Sequence, residues 1–417
     1  MVVVILVLGG VALRAHGIAE PAGYEFDEEP FVDSARGYLV GSPDTNDHPP
    51  LGKLLMSIGI LLFGDDPLGW RFMALLFGLQ SILVARWLSQ KLFSDDRAGW
   101  LAAAFVAGDG FFIAYSRAAL LDGILTCLVL WSMLAAVTAR NLRGVLTASV
   151  LVGLAMSVKW SGALAVVPAV AAVVLLGRAP RWTVAGFVLA PLIHALLWAG
   201  ALHLTGEPNT PSALLELMTR LFRHHVALGL RDNPQASPWY SWPALVHPIV
   251  VKHSPYGFQV KYASSLAHPI LFAATTVTVI GLPISAAVAA IRGRLPRLSS
   301  SKTRFTLAAL LLSLGWLAML APWMVGRGKY TFWYHYMPSY GFGLVLIAGA
   351  AARLERKSPR AVALLGSLAL VTAAWLAPVW GELPLREEAA NRRLIFGPWR
   401  PRAPATISSP PPKGTAD

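Results

Sequence analysis

Negative charge is what this chain has least of. Its 417 residues hold 22 Asp and Glu against 35 Lys and Arg. Between Gly123 and Leu354 the only acids are Glu207, Glu216 and Asp232. Charged residues of both signs make up 14% of the chain, where a soluble domain carries about 25%. Hydrophobic residues reach 55% and mean hydropathy is +0.56, which excludes an ordinary soluble domain and points to a membrane protein. Cys127 is the single cysteine, so no disulfide framework, thiolate metal site or redox pair can form within one chain. There is no Gly-rich phosphate loop to indicate a nucleotide, and no HExxH. Asp27, Glu28 and Glu29 are too close in sequence to cage a divalent ion unaided, so a metal is compatible with the sequence but not called for by it. The net charge of +13 does not signal nucleic acid. The basic residues lie in short groups between apolar runs, as loops that orient membrane spans do.

Long apolar runs are plentiful. Spans are expected at 68–88, 98–114, 118–139, 183–204, 266–291, 305–325, 331–352 and 361–379. The run 145–176 has room for two short spans with Lys159-Trp160 at the turn. The first run, 2–13, is short; it either borrows 15–19 or begins upstream. It lacks a basic leader and a cleavage site, so it reads as a retained span rather than a signal peptide. Residues 49–63 suggest a helix lying at the interface. Residues 205–265, rich in His, Trp and Pro, suggest a folded outer loop whose 239–242 aromatics form an interfacial belt in preference to a sugar platform. The Pro- and Ser-rich end, 401–417, is expected to be disordered. Residues 1–400 then form a single transmembrane domain, with 20–66 and 205–265 as its large outer loops. With about eleven spans the basic loops at 140–143, 178–181, 292–304 and 353–360 share one side, the cytoplasm by the positive-inside rule. The N-terminus is then cytoplasmic and the C-terminus outside.

The stretch 26–53, FDEEPFVDSARGYLVGSPDTNDHPPLGK, is a polar island in this setting. Clustered carboxylates beside membrane-compatible sequence are costly unless they face water or a polar cavity. The bland alternative is a solvated acidic loop. Asp109, Arg117 and Asp122 fall at the outer ends of spans, and Arg71 begins another. Structural pairing with arginine is the preferred reading for Asp109 and Asp122, and an anionic ligand for Arg71 and Arg117, whose guanidinium groups fork onto phosphate. Lys159 either snorkels beside Trp160 or meets a substrate. His335, in FWYHYMP, reads first as a satisfied structural histidine.

Taken together the residues resemble the bacterial protein O-mannosyltransferases that use a polyprenyl-phosphate mannose donor, a family of the GT-C class of membrane glycosyltransferases. The likeness runs through Asp27-Glu28, DHPPLGK at 47–53, WRFMALLFG at 70–78 and GDGFFIAYSRAALLDG at 108–123. It continues in SVKWSG at 157–162, SPWYSWP at 237–243, TFWYHYMPS at 331–339, PVWGELPL at 378–385 and Trp399. The resemblance implies an all-α polytopic GT-C fold, with helices along the membrane surface in the first outer loop. It implies Asp27 as catalytic base and Glu28 as the neighbour that helps place the acceptor. Arg71 and Arg117 would lie at the lipid phosphate, with His48, Lys53, Lys159 and His335 as further substrate-binding candidates. The implied reaction moves mannose from the lipid-linked donor to Ser/Thr hydroxyls of exported polypeptides, delivered with the Sec translocon, at the outer face of the bacterial cell membrane. No cofactor or metal beyond the donor itself is implied. Two other readings stand beside it: a GT-C transferase acting on a lipid or glycan, and a polytopic transporter. Polar groups gathered on one face count against transport, which favours sites near the midplane. The β-trefoil insertion that fungal and animal members carry in a later outer loop is missing here.

Overall fold

The computed structural model describes residues 2–44, 47–227, 235–246, 248–256, 259–292, 301–325 and 331–400. The tail expected to be disordered lies outside the described residues. Apolar runs form helices, and polar residues set their ends. Helix α1 (Val2–Ala15) is followed by α2 (Glu28–Val40), which stops at Gly41 in the left-handed region at φ 71°. Helix α3 (Leu51–Phe63) opens behind Pro49-Pro50. Helix α4 (Pro67–Phe93) starts where the Asp66 carboxylate accepts the N–H groups of Leu68 and Gly69 at 2.9 and 3.1 Å.

The single span expected at 98–114 is broken at Gly108 into α5 (Asp96–Ala107) and α6 (Gly110–Tyr115). Both new helix ends find partners, which is what makes a break tolerable in an apolar setting. The buried Arg14 of α1 donates to the α5 carbonyls of Ala107 and Val106, both at 2.7 Å. Asp109 caps α6 by accepting from Phe111 N–H at 3.0 Å and Phe112 N–H at 3.3 Å. Gly10 permits this approach: a Cβ there would lie 2.0 Å from the Ala107 carbonyl oxygen.

Helices α7 (Leu121–Thr138) and α8 (Leu142–Val158) follow; a 3-10 turn over Trp160–Ala165 then leads into α9 (Val166–Leu176). That is the pair of short crossings expected around Lys159-Trp160. Next come α10 (Leu189–Leu204) and the amphipathic α11 (Pro211–Ala227). The remaining elements of the 205–265 segment are a turn over Trp239–Ala244 and two strands, β1 (Val250–Tyr256) and β2 (Gln259–Ser264). The strands pair antiparallel from Val250↔Ser264 to Tyr256↔Gln259. The aromatic belt expected at 239–242 is corrected in part. Tyr240 is exposed, but Trp242 is fully buried, its Nε1–H donating to Ser237 Oγ at 2.9 Å.

The chain closes with α12 (Pro269–Ile291), α13 (Ser301–Val325), α14 (Met337–Glu355), α15 (Pro359–Trp380) and α16 (Glu387–Arg393). Among the described residues, seven helical segments are long and apolar enough to cross a membrane. With α1, the α5–α6 pair, α8 and the α9 unit they account for the roughly eleven crossings expected from hydropathy. Helices α7 and α14 are buried nearly all round, whereas α12 and α15 present Val277, Ile284, Leu364 and Val371 outward, as lipid-facing helices do. Beyond α15, Leu385 exchanges two backbone hydrogen bonds with Val260 of β2, at 2.7 and 3.0 Å, lacing the end of α15 to the β1–β2 hairpin.

Candidate active site

Asp27 occupies the position just before α2, where an aspartate ordinarily accepts the first free N–H groups of the helix. It does not do so here, and among the described residues its carboxylate has no hydrogen-bond or ion-pair partner. Phe26 ahead of it takes φ 47°, a left-handed conformation uncommon for a large side chain, and sets its ring edge-on to Tyr334 at 6.1 Å. Asp27 is accessible, yet protein lies around it closely enough that desolvation raises its pKa above the ordinary carboxylate value. The Lys159 ammonium pulls the other way, and the Asp122 carboxylate adds to the rise.

Glu28, one residue on, is fully buried. Its Oε1 accepts from Arg71 Nε at 2.7 Å and from Ala119 N–H at 2.8 Å. Its Oε2 accepts from Arg71 Nη2 at 2.7 Å and from Glu25 N–H at 2.9 Å. Arg71 spends its remaining donors on the carbonyls of Ile18, Glu20, Pro21 and Gly23. No N–H of this guanidinium is left for a phosphate. Two expectations are therefore corrected: Arg71 is a clamp on the first outer loop rather than an anion site, and Glu28 is its counter-ion rather than an acceptor contact.

Arg117 is also buried and closes on Glu382, Nε to Oε1 at 3.0 Å. Its Nη1 donates to carbonyls at the end of α1, namely Leu13, Arg14 and His16. Nη2 has no partner among the described residues. The expected anion site is thus half occupied by protein, with one donor group free.

Asp109 and Asp122 are both bonded, but not to the arginine that was the preferred reading. Asp109 adds to its capping bonds an Oδ2 that accepts from His268 N–H and Tyr340 O–H, both at 2.8 Å. Asp122 takes Lys159 Nζ on both oxygens at 2.9 Å. A spacing of five does place Arg117 and Asp122 near one another in sequence, but the turn over Ser116–Leu120 sends them to different partners. Lys159 does not snorkel away. It is buried, and its ammonium lies 4.8 Å from the centre of the Tyr334 ring. Tyr115 packs on Tyr334 at 6.3 Å, and its buried hydroxyl has no partner among the described residues. Asp27, Asp122, Lys159, Tyr115 and Tyr334 therefore form one polar cluster walled by aromatic rings.

The HPPLGK segment is structural in its lysine. Lys53 is fully buried and donates to Asp44 and, at 2.7 Å, to the carbonyl of His48; Tyr38 O–H donates to the same Asp44 oxygen. Lys53 is therefore corrected from a substrate contact to a lock on its own loop. The His48 ring packs 5.8 Å from Phe31. His335 is held by stacking 3.7 Å from Trp323, and its Nδ1 accepts from Phe332 N–H at 3.1 Å, the satisfied structural histidine of the first reading.

Sequence reasoning missed Glu382, Asp44, Tyr115 and Tyr334. Glu382 carried a signal: it is the one acid of PVWGELPL, set directly after an apolar span.

The chain matches two family models. The first, described as dolichyl-phosphate-mannose-protein mannosyltransferase, covers residues 47–203. The second, the C-terminal four-transmembrane region of protein O-mannosyltransferase, covers residues 211–384. Among curated relatives, the polyprenol-phosphate-mannose–protein mannosyltransferase of Mycobacterium tuberculosis is 28% identical over 176 residues, 36% of this chain and 30% of the relative. That of Corynebacterium glutamicum is 28% identical over 176 residues, 33% of this chain and 34% of the relative. These alignments thus span about a third of each relative's length. Among solved structures, the protein O-mannosyltransferase Pmt1-Pmt2 complex of S. cerevisiae bound to its sugar donor superposes with a TM-score of 0.77 at 12% identity, over 96% of this chain and 92% of that one. ArnT of Cupriavidus metallidurans bound to undecaprenyl phosphate gives 0.59 at 17% identity, over 90% and 64%. The fold is that of the GT-C membrane glycosyltransferases.

Proposed function

This chain belongs to the protein O-mannosyltransferase family, and from that premise we propose that it transfers mannose from a polyprenyl-phosphate mannose donor to Ser or Thr hydroxyls of exported polypeptides. The observation that carries the reading is the state of Asp27: accessible, unbonded, desolvated, and set beside a buried lysine in a wall of aromatic rings. A Ser or Thr hydroxyl is a poor nucleophile at neutral pH and needs a base within hydrogen-bond reach as the new C–O bond forms. Asp27 serves as that base. The leaving polyprenyl phosphate gains negative charge as the anomeric bond breaks, and a fixed cation stabilises charge where it develops. With Arg71 fully engaged, Lys159 and the free Nη2 of Arg117 take that part. A phosphate departs without a proton, so no general acid is required and the reading calls for no metal. One base and one cationic site support a single displacement with inversion, from a β-linked donor to an α-linked product.

The donor's tail stays in lipid, which sets the reaction at the outer interface of the bacterial cell membrane, with the N-terminus cytoplasmic and the C-terminus outside. Nascent exported chains emerging from the Sec translocon are the acceptors this location offers.

A second acceptor class has one observation in its favour: the undecaprenyl phosphate-α-4-amino-4-deoxy-L-arabinose arabinosyl transferase of Pseudomonas aeruginosa is 29% identical over 213 residues. The test is to supply membranes holding this chain with labelled polyprenyl-phosphate mannose, a Ser/Thr peptide and a lipid acceptor together. Label in the peptide supports the proposal. Label in the lipid alone overturns it in favour of the second class.

A further inference from the structure

One groove lies far from Asp27. Helix α4 carries Arg71 in its first turns and Lys91 in its last, about 30 Å apart along the axis. At that far end, where α4 meets the junction of α7 and α8, a groove of about 740 Å³ opens. Its deep wall is apolar, formed by Trp87, Trp131 and Leu151, with the two indoles 5.5 Å apart. Its mouth is cationic, formed by Lys91 and Arg140. From Asn141 at the mouth to Leu151 at the bottom the groove runs about 15 Å along α8. That length takes a polar headgroup at the interface and the first stretch of an acyl chain below it.

The charge at the mouth is uncompensated. Both cations are exposed, and neither has an acidic partner among the described residues. Two acids, Asp95 and Asp96, line an adjoining depression that shares Lys91 and Arg140. Asp95 is already taken by Arg356 at 2.8 Å. Asp96 is taken by Arg86 at 3.3 Å and Gln90 at 2.9 Å. A third cation, Arg178, stands at the edge of that depression and is fixed by its bond to the Val137 carbonyl at 3.0 Å. Half-buried tryptophans over a hydrocarbon wall, with fixed and free cations at the headgroup level, complement one kind of molecule: an amphiphile with a negative head.

We infer that this groove binds an anionic phospholipid of the leaflet opposite Asp27. The phosphodiester sits between Lys91 and Arg140, and one acyl chain lies along α8 against Trp131. A zwitterionic lipid fills the same apolar wall but returns a positive charge to the mouth.

Native mass spectrometry of the full chain in detergent, titrated with phosphatidylglycerol or phosphatidylcholine, tests this. Wild type is expected to hold one phosphatidylglycerol in preference to phosphatidylcholine. The Lys91→Gln and Arg140→Gln changes should each weaken that adduct about fivefold. Ala135→Trp, which fills the apolar wall and leaves both cations, should remove the adduct. Melting temperatures confirm that each variant is folded. Equal retention of the two lipids, or wild-type affinity in the Lys91→Gln/Arg140→Gln double variant, overturns the inference. Glycerol 3-phosphate provides the last arm. If it displaces phosphatidylglycerol at comparable concentration, the groove serves a soluble phosphate and the lipid assignment is wrong.

Discussion

Glu28 and Arg71, forty-three positions apart, meet through two parallel bonds of 2.7 Å at full burial. The pair draws Glu28 inward at the first turn of α2 and so leaves Asp27 turned out. One acid of an adjacent pair is locked in structure, and the other has no bonded partner among the described residues.

This division of labour separates two substitutions. Asp27→Asn should lower peptide mannosylation by about two to four orders of magnitude, the usual contribution of a positioned base, while leaving the yield of folded protein intact. Side-by-side transfer assays and size-exclusion profiles would check it; a variant that keeps wild-type turnover rules Asp27 out as the base.

Breaking the buried pair should act on folding instead. Arg71→Met leaves the Glu28 carboxylate buried without its cation, a loss of about 3–5 kcal/mol. The expected result is a sharply lower melting temperature or no monodisperse protein. A variant that melts like wild type and loses only donor affinity would restore Arg71 to the phosphate site.

The raised pKa of Asp27 fixes two pH effects. A base acts as the carboxylate, so turnover should fall on acidification through a midpoint above the ordinary aspartate value of about 3.9. Stability runs the other way. Because the folded pKa exceeds the unfolded one, the folded state binds this proton more tightly. Asp27's contribution is therefore fully present below the unfolded value and lost as pH rises through the folded one. Asp27→Asn should then melt higher than wild type at neutral pH and show a smaller margin in acid, as active-site charges removed from enzymes often do. Melting curves across the acid range decide it, and a variant less stable at neutral pH contradicts the assignment of a desolvated carboxylate.

Lys159 and Asp122 are expected to be coupled. Lys159→Met alone leaves Asp122 buried and charged, which should cost about 3–5 kcal/mol, whereas the Asp122→Leu/Lys159→Met double change should recover much of that stability but none of the transfer. A double-mutant cycle read in both melting temperature and kcat/KM tests the two roles at once. Recovery of activity along with stability would reduce the pair to structure.

The helices were legible because hydropathy is a local property; even the turn at Lys159-Trp160 could be read from the length of one run. The ion pairs were not, because each joins residues that only the folded bundle brings together. A guanidinium suits phosphate and carboxylate alike, so the letters do not tell which one Arg71 and Arg117 meet; their carboxylates lie elsewhere in the chain, at Glu28 and Glu382. Which of the adjacent Asp27 and Glu28 is buried is not written in their letters. Successive residues at a helix start point about 100° apart, so one is buried and the other exposed. The break at Gly108 was hidden because its support, Arg14, arrives from another helix.

Arg117 finds its carboxylate at a distance of 265 positions, on the far side of α15. While the chain is being made, ten of its crossings can enter the bilayer with that guanidinium still uncompensated. The clasp between the first helix and Glu382 closes only when α15 is in place. A chain that has not yet made α15 therefore lacks the contact that ties α1 and Arg117 to the end of that helix.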